Sequence, residues 1–181
     1  MREHLTRAAR YCIYFMCYSV IGWLYEVFLE VVVYRWGYSD RGVLAGPYCV
    51  IYGVGALVLI FALRGLMGRH IRVGPVPVTP ALVFAAIVAL TTAIELAGSY
   101  LMERVTGGWM WDYTAYACNF QGRIALSPSL RFGAGGMLFL YVLQPLFERV
   151  TARWPDRVTR LTGGALALLL AADALYTFAP R

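Results

Sequence analysis

At 181 residues the chain is long enough for one soluble domain, yet it is 60% hydrophobic, 15% aromatic and only 14% charged, with a mean hydropathy of +0.62. Soluble domains carry about 25% charged and about 45–50% apolar residues, so the excess points to a bilayer. Hydrophobicity excludes disorder, and a content of four cysteines excludes a disulfide scaffold. All 16 basic residues are arginine, and they are scattered among apolar runs rather than gathered in a stripe, so the net charge of +6 does not indicate a nucleic-acid partner.

Five apolar segments follow in chain order. They predict an all-α, polytopic helical membrane bundle forming a single integral membrane domain over residues 1–181. The first, 11–34, is longer than the ~7–15-residue core of a signal peptide, lacks a small-residue exit site and carries Glu26 and Glu30. Gly22, Glu26 and Glu30 recur every four residues, and Trp23 shares their face. A single polar stripe on an apolar helix belongs against a bundle interior. The next connection contains the string YSDRG at 38–42, with Arg41. The second span, 43–66, then opens with Gly46, Pro47, Tyr48, Tyr52 and Gly53, where glycine permits close backbone approach and proline deforms a first turn.

The third span, 80–102, repeats the striped pattern: Thr91, Glu95, Ser99 and Glu103 recur every four residues, with Thr92 and Gly98 beside them. The long connection 106–131 holds Trp109, Trp111, Asp112, Tyr113, Tyr116, Asn119, Gln121 and Arg123. Such a segment is too aromatic for disorder and predicts a re-entrant or interfacial element between the third and fourth spans. The fourth segment, 132–147, is short for a crossing unless it takes in residues from 124–130. The fifth, 161–178, carries Asp173.

Ten of the 16 arginines fall in the N-terminus and in the second and fourth connections, which places the N-terminus inside and the C-terminus outside. Glu26, Glu95 and Asp173 then each lie about four residues past the midpoint of spans one, three and five, roughly 6 Å into the outer half. A charge near the bilayer centre costs about 2.5–3.5 kcal/mol on insertion scales, so such side chains should face the bundle or a wet cavity. For Asp173 a role in helix packing is the stronger reading, and Glu30 and Glu103 read as solvated residues near the outer interface. Glu26 and Glu95 form the floor of an expected outward-facing pocket. Arg41 and Arg123 are their candidate partners, Trp111, Asp112 and Tyr113 a lid, and Tyr52 and Asn119 further substrate-binding positions. Arginine forks grip carboxylate or phosphate, so an anionic headgroup or substrate also suits such a pocket.

Other signals are weaker. Cys49 and Cys118 fall where a bridge near the outer face is open to them, but small buried thiols are the simpler reading. His4 and His70 lie on the expected inner side, so no metal site is expected; Glu26, Glu95 and Asp112 would suit only a hard divalent cation. No cofactor is expected. The string GAGG at 133–136 lacks the Lys-Ser/Thr of a phosphate loop and reads as close helix packing, so any ATP hydrolysis falls to a separate ATPase subunit. Gly-x-Ser-x-Gly is absent, which leaves a hydrolase elbow unsupported.

Several strings are familiar together: YSVIGWLYEVFLE, RGVLAGPYCVIYGVGA, ELAGSYLME and WMWDYTAYACNFQGRIALSPSLRFG. Their order and spacing, over about residues 14–140, resemble the bacterial family labelled "putative ABC transporter permease, type IV, CmpB-like". By this resemblance the motif positions are Gly22, Trp23, Glu26, Arg41, Gly42, Gly46, Pro47, Tyr52, Gly53, Glu95, Trp111, Asp112, Tyr113, Asn119, Gly122 and Arg123. Val50 stands where the motif leads one to expect proline, and Phe132 where it leads one to expect tryptophan; both are apolar replacements.

The resemblance implies a transport protein or permease-like subunit of the bacterial cytoplasmic (inner) membrane, surrounded by membrane lipid and acting as a homodimer or with other membrane subunits. The alternative is a membrane-embedded enzyme acting on a lipid or lipid-linked substrate. Its candidate catalytic residues are Glu26, Glu95 and Asp112, assisted by Tyr113, with Arg41 and Arg123 as phosphate clamps. An assembly or regulatory subunit with a structural polar network is a third reading. The largely apolar inner halves of the spans make the pocket one-sided, which favours an enzyme or receptor, whereas the family label favours transport. Transport stands first because the enzyme reading lacks a defined nucleophile or metal triad.

Overall fold

The computed structural model describes residues 2–40, 42–109 and 111–179. Its helices are α1 (Arg2–Phe28), α2 (Val50–Met67), α3 (Thr79–Thr106), α4 (Leu126–Leu138), α5 (Gln144–Ala152) and α6 (Asp156–Phe178), with π-helical turns at Leu29–Val33 and Phe139–Leu143. Each π turn continues the helix before it, and the second joins α4 to α5, so among the described residues five stretches are long and apolar enough to cross a membrane. The chain divides into two compact units, residues 1–57 with 146–181, and residues 58–145.

In the first unit, α1 and α6 make the most extensive helix contact. They run parallel: Arg160 donates to Thr6 Oγ1 at 3.0 Å, Gly163 lies against the backbone of Ala9, and Leu166 and Leu170 pack on the cluster of Met16, Leu44 and Tyr48. Glycine at 163 is what permits this approach, since a Cβ there would fall on the Ala9 main chain. Tyr14 and Thr151 share a buried hydroxyl–hydroxyl bond of 2.8 Å, and Phe147 takes the edge of Tyr18 at 5.3 Å between centroids. The π turn after α1 closes with the Tyr34 amide on the Leu29 carbonyl at 2.8 Å, and the helix then stops as Arg35 and Gly37 adopt φ of 55° and 91°.

In the second unit, α3 and α4 pack antiparallel, Gly133 against Phe84 and Val88, Gly136 against Ile87, and Thr92 donating to Ser129 Oγ at 2.8 Å. α3 carries Pro80 in its first turn, where a missing N–H is harmless, and it ends at Gly107 with φ of 80°. Two small antiparallel hairpins cap this unit: β1 (Arg72–Val73) with β2 (Val76–Pro77), and β3 (Asn119–Phe120) with β4 (Ile124–Ala125).

The fourth crossing was expected to be short, and the structure shows how it reaches length. α4 begins at Leu126, with Pro128 in its opening turn, and the stretch runs on to Ala152. Gln144 and Pro145 break the apolar run in the sequence without ending the helix. The π turn immediately before them accommodates a proline that has no N–H for the carbonyl one turn back. Exposed Leu161, Leu168, Leu175 and Tyr176 give α6 an outward apolar surface of the kind lipid requires.

Candidate functional site

The carboxylates do not stand alone; each of three is met by a tyrosine. In the second unit, Glu95 on α3 is 9% exposed, and its Oε1 accepts the hydroxyl of Tyr113 at 2.8 Å. Its Oε2 is buried and has no hydrogen-bond partner among the described residues. One turn further along α3 stands Ser99, and two turns further Glu103.

Arg123 occupies the upper end of that stripe. Its Nη2 lies 2.5 Å from Glu103 Oε2 and its Nη1 3.4 Å from Ser99 Oγ, while the guanidinium carbon is 4.2 Å from the Tyr100 ring centroid and 3.9 Å from that of Trp109. The side chain is thus stacked between two rings and paired on its edge, with 6% of its surface exposed. The expectation had Arg123 as a partner for a membrane carboxylate at the pocket floor; the carboxylate it meets is Glu103.

The loop between α3 and α4 explains why Arg123 sits there. Asp112 accepts from the amide and hydroxyl of Thr114 at 2.9 and 3.0 Å, and Asn119 donates to the carbonyls of Thr114 and Tyr116 at 3.3 and 2.9 Å. Asn119 also accepts from the amide of Gly122 at 3.1 Å, whose carbonyl receives the Tyr113 amide at 2.8 Å. Gly122 has φ of 67°, and a Cβ there would meet Thr114 and Asp112, so the tight turn requires glycine. Trp111 donates its indole N–H to the Arg123 carbonyl at 2.8 Å. Asp112, Asn119 and Trp111 therefore build the loop, and Tyr113 and Arg123 are the side chains it delivers to α3.

In the first unit, Tyr52 on α2 donates its hydroxyl to Oε1 of Glu26 on α1. Gly22 makes room for this, because a Cβ there would fall within the Tyr52 ring. Arg41 lies outside the described residues. Asp173 on α6 accepts from the amides of Ala45 and Gly46 at 3.1 and 2.9 Å, from the hydroxyl of Tyr48 and from that of Thr177 at 3.2 Å. It pins the connection that leads into α2. Glu30 is buried and accepts from the amide and hydroxyl of Ser39 at 3.1 and 2.6 Å.

Sequence reasoning therefore passed over Glu30 and Glu103, read as solvated, and gave Trp109 no role of its own. The signal for Glu103 was present in the four-residue recurrence from Glu95. Nothing local to the sequence pairs Glu30 with Ser39, because the contact depends on the turn at Arg35 and Gly37. All four cysteines are thiols rather than half-cystines. Among the described residues no three His, Cys, Asp or Glu side chains are grouped to hold a metal.

No curated protein and no solved structure matches the chain. Residues 13–178, in contrast, match a family model, and with it the chain belongs to the CmpB family described as "Putative ABC-transporter type IV".

Proposed function

We propose that the chain is a permease-like subunit of a transport system in the bacterial cytoplasmic membrane, with its N-terminus inside, and that Glu95 with Tyr113 is its polar binding element. The observation that carries this reading is the half-satisfied carboxylate of Glu95. One oxygen is fixed by Tyr113 and the other is buried without a donor, and leaving such an oxygen unmet costs about 1–3 kcal/mol. A site of this kind takes a small cation, an ammonium group or the N–H or O–H of a polar solute. The loop carrying Trp111 and Tyr113 acts as its outward lid, and a separate ATPase subunit supplies energy, since the sequence has no phosphate-binding loop of its own. Glu26 with Tyr52 repeats the same chemical pair in the other unit.

The enzyme alternative has less support. A phosphate clamp needs a guanidinium edge free to bind; Arg123 spends Nη2 on Glu103, is held between two rings, and its one unpartnered nitrogen, Nε, is buried. Purification of the tagged chain from its native membranes in mild detergent tests the transport reading. The expected result is a complex with ATP-hydrolysing activity that survives Glu95→Gln but is then no longer stimulated by ligand. A chain that purifies alone, with no associated ATPase under mild conditions or after cross-linking, argues against it.

A further inference from the structure

The connection between α2 and α3 carries a positive charge that no carboxylate pairs with among the described residues. The β1–β2 hairpin turns at Gly74, with φ of 60°, and its base is locked by Thr79. The Thr79 hydroxyl donates to the Arg69 carbonyl at 2.7 Å and accepts the Ile71 amide at 2.9 Å, while the Val78 amide donates to the Ile71 carbonyl at 3.0 Å. On this braced frame Arg69, His70 and Arg72 are exposed, and together with Thr79 and Tyr141 they border a cavity of about 220 Å³.

No acidic residue occurs between Asp40 and Glu95 in the sequence. Glu95 stands 16 residues beyond Thr79, which at 1.5 Å per residue is about 24 Å along α3. Among the described residues neither Arg69 nor Arg72 forms an ion pair. Arg69, His70, Arg72 and Tyr141 therefore border one cavity that has no carboxylate among its lining residues, and arginine forks match the oxygens of a phosphate. The loop joins the ends of two membrane-length helices, at the level where phospholipid headgroups lie. Exposed Phe61 on α2 and Leu82 on α3 lead away from it as apolar surface.

We propose that this cavity binds the phosphate of an anionic phospholipid, with Arg69 and Arg72 on the phosphate oxygens, His70 and Tyr141 as further donors, and the acyl chains along the apolar faces of α2 and α3. The inference is independent of the Glu95 site. It also goes beyond the orienting effect of positive loops, because it requires a preference for one loop over another of equal charge.

Native mass spectrometry of the full chain in mild detergent tests it, with phosphatidylglycerol and phosphatidylcholine of matched acyl chains as probes. Phosphatidylglycerol should be retained over phosphatidylcholine. The double change Arg69→Gln with Arg72→Gln should weaken that retention about 25-fold, at about fivefold per arginine, whereas Arg149→Gln with Arg153→Gln should change it less than about twofold. Arg69→Lys with Arg72→Lys should keep most of the retention, which separates lost charge from lost fold. Equal retention of the two lipids, or equal weakening by both glutamine pairs, overturns the proposal. So does a tight adduct with inorganic phosphate that disappears in the Arg69→Gln, Arg72→Gln variant while lipid retention is unchanged. Unchanged lipid retention with lost association of an ATPase subunit would equally overturn it, by assigning the loop to a protein partner.

Discussion

Tyr113 holds one oxygen of Glu95 at 2.8 Å and leaves the other buried and unmet. The same residue types meet at Tyr52 with Glu26 and at Tyr48 with Asp173, but the surroundings differ. Asp173 collects two backbone amides and two hydroxyls, which makes it a structural clamp. Glu95 receives one donor on one oxygen, which leaves it able to take another.

Removal of the Tyr113 hydroxyl should therefore be felt twice. Tyr113→Phe removes the donor from Glu95 Oε1, leaving neither oxygen with the Tyr113 hydroxyl, and should cost about 1–3 kcal/mol of stability. It should also weaken any ligand held at Glu95. Thermal unfolding in detergent, with and without ligand, separates the two effects, and a variant as stable and as responsive as the parent would remove Tyr113 from the site.

Arg123 is fixed by shape as well as charge. Arg123→Ala should destabilise the second unit by about 2–4 kcal/mol, through loss of the Glu103 pair and two stacked rings. Arg123→Lys should recover less than half of that, because an ammonium cannot stack as a plane. Glu103→Gln should cost under about 1 kcal/mol, since the Glu103 carboxylate is 43% exposed and screened. Limited proteolysis across residues 107–122 reports the order of the three; lysine equal to arginine would deny the stacking role.

Much of this was legible in the sequence, and the exceptions have physical causes. Five long apolar runs and two four-residue polar stripes identify the helices and place Glu26 and Glu95 correctly on α1 and α3. The ends of the helices were not legible. Arg2 to Arg10 lower the hydropathy of α1 without stopping it, and Pro145 interrupts the fourth run although a π turn carries the helix past it. Asp112, Asn119 and Arg123 stand together in the sequence and looked alike as site residues. Their roles divide only once the turn at Gly122 is formed, because that turn directs Asp112 and Asn119 to the backbone and Arg123 to α3.

Release of the Asp173 clamp should loosen one connection and little else. Asp173→Ala should speed hydrogen exchange at the amides of Ala45 and Gly46 by about 10- to 150-fold, the range that a lost charge-assisted bond implies. Ligand response at Glu95 should be unaffected. Unchanged exchange at both amides would show that Asp173 does not hold this segment.

Two neighbouring glycines on α6 should respond in opposite directions. Gly163→Ala forces a Cβ onto the Ala9 backbone and should cost about 1–3 kcal/mol, whereas Gly164 has open space around it and Gly164→Ala should stabilise the helix by up to about 1 kcal/mol. Melting temperatures of the two variants in the same detergent decide the matter, and a Gly163→Ala protein as stable as the parent would contradict the close α1–α6 contact.

The most direct test of Glu95 as the binding element is ligand-dependent stabilisation of the purified chain, measured for the parent, Glu95→Gln and Glu26→Gln against sodium, potassium, ammonium and choline. A small cation bound at 100 times its Kd adds about 2.7 kcal/mol, which a rise in Tm reports. The expected result is that at least one small cation raises the Tm of the parent and of Glu26→Gln, that choline does not, and that Glu95→Gln no longer responds. Equal responses in the parent and Glu95→Gln, or no response of the parent to any of the small cations, would contradict it.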